Sequence, residues 1–185
     1  MRTVSLGISI GLIGCSIFLA GCVTKITKPA AAPQPSTERF GAFNTVVFEN
    51  VSLAPKFREA RANQKAAKKI NEELIASLRN AFPEMKIVDQ ATEPATDKTL
   101  VIRPVIKEIK FIGGGARFWV GAMAGSSAVL MQVTFVDQGT GAVLASPEFY
   151  RSANAMGGQW SFGASDNMML TMIVQDIITY VVSNR

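Results

Sequence analysis

Apolar residues fill the chain from Val4 to Phe18, broken only by Ser and Gly, and a pattern readable as packed structure begins after residue 42. Phe43 to Glu49 is rich in β-branched and aromatic residues and predicts a strand. A turn through Ser52 and Pro55 leads into a helix over about Lys56 to Phe82. Its apolar positions Ala67, Ile70, Leu74, Leu78, Ala81 and Phe82 recur three or four apart, as one buried face requires, and Pro83 ends it. A short strand is expected at Met85 to Asp89. In Thr99 to Phe111 the stretch Leu100 to Ile106 is apolar except for Arg103 and Pro104, which predicts a strand covered on both faces, with Pro104 marking an edge or a bulge. From Ala128 to Val136, Val129, Met131, Val133 and Phe135 alternate with Gln132 and Thr134, the period of a half-buried strand. Asp137-Gln138-Gly139-Thr140-Gly141 reads as a hairpin turn into a strand over Ala142 to Arg151. A last helix, about Asp166 to Asn184 after the cap Ser165, is apolar over most of its circumference, and its methionines read as core filler. This order predicts an α+β fold: a mainly antiparallel four- to five-stranded sheet with two helices packed on one face, forming a single domain over residues 40–185.

The opening run changes how the composition is read. Arg2, the apolar segment and the small-residue ending Leu19-Ala20-Gly21-Cys22 have the layout of a signal peptide over residues 1–21. The run is short and glycine-interrupted for a membrane span, which wants about 20 predominantly apolar residues. Of the two cysteines in the 185-residue chain, Cys15 lies inside the signal, so cleavage before Cys22 leaves one thiol and no internal disulfide. There is no histidine anywhere. That removes the commonest ligand of zinc, copper and non-haem iron and most general-base chemistry near neutral pH. No cofactor and no metal site are expected, and binding is favoured over catalysis.

Leu19-Ala20-Gly21-Cys22 resembles a bacterial lipobox. The resemblance implies diacylglycerol on the Cys22 thiol, cleavage before it, and an acylated amine. A single acyl chain holds weakly, at about 0.8 kcal/mol per buried methylene, while two or three hold firmly. Val23, rather than Asp, follows the cysteine, which implies an outer-membrane address facing the periplasm if the source has two membranes. Residues 22–39 then form the acylated cysteine and a proline-rich tether with Pro29, Pro33 and Pro35. As extended polyproline II it would reach on the order of 50 Å.

Candidate chemistry lies in three places. Ile112 to Ser127 is glycine-rich, holds Arg117 and Trp119, and has Gly121 and Gly125 in small-xxx-small spacing. It lacks the phosphate-loop pattern. Two readings stand for it: an inter-strand loop whose glycines allow close backbone packing, and a loop that inserts into lipid or a partner. Gly157 to Gly163 places Trp160 and Phe162 in a second glycine-rich segment, as core caps or as a contact surface with Trp119. Apart from Arg2, the basic surplus of the +5 chain lies in residues 22–90, where Lys56, Arg58, Arg61, Lys65, Lys68 and Lys69 face only Glu59 in their window. Lys65, Lys68 and Lys69 are candidate contacts to an anionic surface, against the alternative of a solvated helix face. Arg103 and Arg117 are candidates to pair with Glu108, Asp137 or Asp176, or to hold anionic glycans. A hydrolase pairing Ser126 or Ser127 with Lys107 or Lys110 is the weakest reading, because the lysine would have to be buried to lose its proton.

Arg117, Gly121 to Ser126, the strand after it, Asp137 to Leu144, glycines near 157 and the apolar last helix together resemble an uncharacterised bacterial lipoprotein family catalogued as domain of unknown function 4410. That family brings no activity to transfer. The expectation is a lipid-anchored cell-envelope module acting without catalysis in binding, scaffolding or assembly. Its partners would be membrane lipid through Cys22 and an envelope protein or a second copy of itself, and no nucleic acid. The alternative is a membrane-active protein that self-assembles by inserting its glycine-rich loop.

Overall fold

The computed structural model describes residues 26–91, 98–111, 126–153 and 164–185. Seven strands and two helices follow in the order β1 Thr45–Glu49, β2 Ser52–Leu53, α1 Arg61–Ala81, β3 Lys86–Val88, β4 Thr99–Lys110, β5 Ser127–Asp137, β6 Val143–Ala145, β7 Glu148–Ala153 and α2 Ala164–Ser183. Short 3₁₀ turns at Phe40–Ala42 and Pro55–Phe57 precede β1 and α1. The strands form one sheet in the order β3-β1-β4-β5-β6, with β2 beside β4 and β7 beside β5.

The sheet is mixed, which corrects the expectation of a mainly antiparallel one, and it has more strands than the four or five expected. β1 runs parallel to both β3 and β4, and β2 is parallel to β4, whereas β5 is antiparallel to β4, β6 and β7. The cause is α1. A helix between β1 and β3 returns the chain to its starting end, so the next strand must run parallel to the first. Strands in the parallel half are buried on both faces, as continuous apolar runs predict: Val46, Val47 and Phe48 are all buried, as are Leu100, Val101 and Ile102.

Both helices pack on one face. Ile70, Leu74 and Leu78 of α1 and Ile173, Ile177 and Val181 of α2 join Phe48, Ile102, Ile106, Met131 and Phe135 in one core. A fully buried side chain of this size contributes about 1.5–3 kcal/mol. On the other face, Val47, Val101 and Val136 form a small separate cluster with Val88 and Ala91.

Pro104 sits in a central strand, neither at an edge nor at a bulge. β1 pairs with β4 up to Ile102 and β2 resumes at Val105, so no strand faces residues 103–104 on that side. Across the ladder Pro104 faces Val133, whose N–H turns away to donate to the Pro147 carbonyl at 3.1 Å. The proline nitrogen, which has no hydrogen to give, therefore points into the gap between β1 and β2. The bulge lies further on, between Ile106 and Glu108. Pro147 likewise divides the single strand expected over Ala142 to Arg151 into β6 and β7.

Candidate functional site

The stretch expected to stand clear as a tether lies against the domain from Ile26 onward. Ile26 is buried against Ala128, Leu130 and Tyr150. The chain then crosses the open edge of β6 and β7 to the far end of α2. Along the way the Tyr180 hydroxyl donates to the Gln34 carbonyl at 2.7 Å, and the Ser36 N–H donates to Asn184 Oδ1 at 2.7 Å. The Thr37 N–H donates to the Leu144 carbonyl at 3.1 Å, and the Phe40 N–H to the Asn184 carbonyl at 2.8 Å. Phe40 closes the strap by stacking on Phe135, with ring centroids 4.5 Å apart, and Tyr180 packs on Phe135 and Phe149. The strap thus occupies part of the unpaired edge that a terminal strand otherwise offers to other chains. Clefts of about 560 and 700 Å³ flank it on either side.

This geometry assigns a direction to the molecule. β4 ends at Lys110, opposite Ala128 near the start of β5, and β7 ends at Ala153, paired with Ser127. Arg151 bridges to Asp176 at 2.5 Å, Tyr180 reaches Phe149 and Phe135, and Asn184 lies at the strap, so α2 runs from the Ala153 end toward the Leu144 end. α1 runs parallel to α2: Glu73 accepts from Thr171, and Arg185 lies over the Phe82 ring. One end of the domain therefore gathers the start of α2, the first half of α1, the bases of both glycine-rich segments and, through Ile26, the route back to Cys22. Four residues span at most about 14 Å.

Of the residues singled out in the sequence, Cys22, Arg117, Trp119, Gly121, Gly125, Trp160 and Phe162 lie outside the described residues. Lys65, Lys68 and Lys69 are on α1 at the end just defined. Lys68 meets Glu72 at 3.9 Å and Lys69 meets Glu73 at 2.5 Å, each one turn on, so two of the three charges are locally offset. Among the described residues Lys65 and Arg61 form no ion pair. Met169 is core, as expected of the methionines, but Met168 is 64% and Met172 36% exposed.

Arg103 pairs with Glu49 at 2.8 Å, which corrects the candidate partners Glu108, Asp137 and Asp176. Glu49 is buried and also accepts the Ala91 N–H at 3.0 Å, tying the loop after β3 to β1. Asp176 pairs instead with Arg151, whose guanidinium is held protonated chiefly by that carboxylate. Asp137 caps its own turn. The Thr140 hydroxyl, then the backbone N–H groups of Gly139 and Thr140, hold its carboxyl below the ordinary value near 3.8 against the opposing effect of burial. Tyr180 is pushed above 10.0 by burial. Ser127 is fully buried within β5 while Lys107 is exposed, so that pair lacks the desolvated lysine a Ser-Lys hydrolase needs. Among the described residues no three carboxylate or thiol side chains gather closely enough to hold a metal ion, and no helix is long and apolar enough to cross a membrane.

The element order and the strapped mixed sheet define an α+β fold. Residues 35–157, about two thirds of the chain, match the family described as Domain of unknown function (DUF4410), and the chain belongs to that family. No curated protein matches it. Among solved structures, the chain is similar to a PelC dodecamer from Paraburkholderia phytofirmans at 16% identity and a TM-score of 0.44, covering 78% of this chain and 91% of that one. It is also similar to protein XCC0632 from Xanthomonas campestris, of the family DUF330, at 8% identity and 0.48, covering 83% and 95%. Lipoprotein GNA1162 from Neisseria meningitidis follows at 10% and 0.37, covering 75% and 98%. At these levels the likeness assigns neither partner nor assembly to this chain.

Proposed function

We propose that the chain is a lipid-anchored module of the cell envelope that works without catalysing a reaction, by holding a binding surface beside one membrane. Cys22 carries the acyl chains, and Val23 after it directs the protein to the outer membrane where the source has two. The observation that supports this most is the docked strap. With Ile26 packed on Ala128 and Leu130, the acylated residue stays within about 14 Å of that end of the sheet. The bases of segments 112–125 and 154–163 are at the same end, so Arg117, Trp119, Gly121, Gly125, Trp160 and Phe162 are the contact residues of the proposal. Confinement beside the membrane raises the effective concentration for an envelope partner, or for a second copy, without any new contact.

The test has two arms. Growth with an alkyne-tagged fatty acid labels the wild-type protein and leaves Cys22→Ser unlabelled; equal labelling of both refutes the anchor. A photo-crosslinking amino acid at Trp119 or Trp160 in intact cells is expected to capture a discrete envelope protein or a second copy of the chain. Capture of bulk lipid alone refutes the binding role and favours the membrane-active alternative.

A further inference from the structure

We infer that the end of the domain formed by the first halves of α1 and α2 rests on an anionic bilayer surface, with the strap holding it in that orientation. The inference builds on the lipid-anchor proposal and adds an orientation to it. A free tether would let the domain tumble at a distance; the strap removes that freedom. The Gln34 carbonyl, accepting from Tyr180, and the Ser36 and Thr37 N–H groups, donating to Asn184 and Leu144, fix its far end, and Ile26 fixes its near end at Ala128 and Leu130. The anchor therefore leaves the domain at the end of the sheet where α1 and α2 begin, from the face away from the helices, and that end is the one that meets lipid.

That surface has the two properties an interfacial contact needs, exposed apolar groups and unpaired positive charge. Met168 and Met172 lie one turn apart on the outside of α2, 64% and 36% exposed. The parallel packing of the helices brings the start of α1 alongside, where Arg61 and Lys65 form no ion pair among the described residues and Lys68 is only loosely held by Glu72 at 3.9 Å. Lys56 adds a further exposed cation just before the helix. The opposite end also carries exposed cations, Arg39, Arg79, Lys86 and Arg185, and exposed Val143 and Val182, so what selects between the two ends is the exit of the anchor through Ile26. Flexible thioethers flanked by lysine and arginine suit the boundary between acyl chains and phosphate headgroups better than they suit open water.

The test uses the mature, acylated protein reconstituted into vesicles. Acylated Cys22 has no free thiol, so a polarity-sensitive dye on Met168→Cys reports that end alone, and the same dye on Val143→Cys, 59% exposed at the opposite end, is the reference. On vesicles containing phosphatidylglycerol the 168 dye is expected to shift to the blue and the 143 dye to stay put. The shift should be lost on pure phosphatidylcholine, and at about 1 M salt, where the screening length is about 3 Å. Arg61→Gln with Lys65→Gln should reduce it, and both changes are on the helix surface, where folding is preserved. Equal response at 168 and 143, or a shift indifferent to salt and to lipid charge, overturns the inference. Flotation separates the two proposals: protein that does not float with the vesicles refutes the anchor, whereas protein that floats with an unshifted 168 dye refutes the orientation alone.

Discussion

Replacing Tyr180 by Phe isolates the strap from the rest of the fold. The substitution keeps the ring, and with it the packing on Phe135 at 5.6 Å, Phe149 at 5.8 Å and Phe40 at 6.4 Å between centroids. It removes one atom, the hydroxyl that donates to the Gln34 carbonyl at 2.7 Å. A neutral hydrogen bond of this kind contributes about 1 kcal/mol net, and since about 1.4 kcal/mol is tenfold, the population of opened strap should rise about fivefold. Amide hydrogen exchange reads this directly, because the Ser36 and Thr37 N–H groups are protected only while the strap is docked, by Asn184 Oδ1 and the Leu144 carbonyl. Exchange at both should accelerate about fivefold, with amides in β4 and β5 unchanged. Asn184→Ala should do more. It strips the Ser36 N–H of its acceptor, while the Tyr180 carbonyl keeps the Ser183 hydroxyl and the residue-184 N–H as donors, and a part-buried group left unsatisfied costs about 1–3 kcal/mol. Wild-type exchange at Ser36 and Thr37 as fast as in a free peptide, or indifference of both amides to both substitutions, would refute the docked strap and with it the proposed orientation at the membrane.

Four further outcomes follow from the same geometry. Gly141 has φ 73° with nothing within 4 Å of where a Cβ would stand, so Gly141→Ala carries only backbone strain. The cost should be about 1–2 kcal/mol, smaller for Gly141→Asn, read as a thermal shift of about 2–4 °C per kcal/mol. Asp137 is held below 3.8, so its stabilisation is present above that pH and is lost as pH falls through the lower folded value. Acid unfolding of Asp137→Asn should therefore show a shallower pH dependence below 3.8 than wild type. Tyr180 is shifted the other way, above 10.0, so its contribution is present below that pH and is lost as pH rises through the folded value. Strap protection should fail in alkali earlier than the core and should lose this dependence in Tyr180→Phe. Ile173 is fully buried where α2 meets the sheet, and Ile173→Ala should cost about 2–5 kcal/mol by denaturant unfolding.

Local pattern carried most of the elements. The α1 stripe from Ala67 to Phe82 is buried as its spacing requires, and Val129, Met131, Val133 and Phe135 face the helices while Gln132 and Thr134 do not. Strand direction was harder to read. The alternation in β5 and the Asp137 to Gly141 turn are hairpin signals, and extending them to the whole sheet produced the antiparallel expectation. Val46-Val47-Phe48 and Leu100 to Ile102 argue against it, as continuous apolar runs of the kind that parallel strands show when a helix covers one face and other chain covers the second. Pro104 misled for a similar reason. A proline is excluded from a central strand only where its missing N–H would face a partner, and the gap between β1 and β2 is set by where two other segments stop, which no local window contains.

The strap was the least legible feature, and it has the largest consequence. Pro29, Pro33 and Pro35 specify an extended conformation, and an extended chain is compatible both with solvent and with lying along a sheet edge. What decides between them is the set of partners: Tyr180 and Asn184 at the end of α2, Leu144 in β6, and an apolar seat for Ile26, all more than 100 residues away in sequence. Taken alone, Asn184 reads only as the end of the last helix. Once these partners are seen together, the reach of the chain from the domain to Cys22 falls from on the order of 50 Å for a free tether to at most about 14 Å beyond Ile26. A lipid anchor on a long free tether selects a membrane and nothing more. On a docked strap the proposed anchor would also select which end of the domain the membrane sees, and would leave the opposite end, with Val143 and the β6 edge, turned to the compartment.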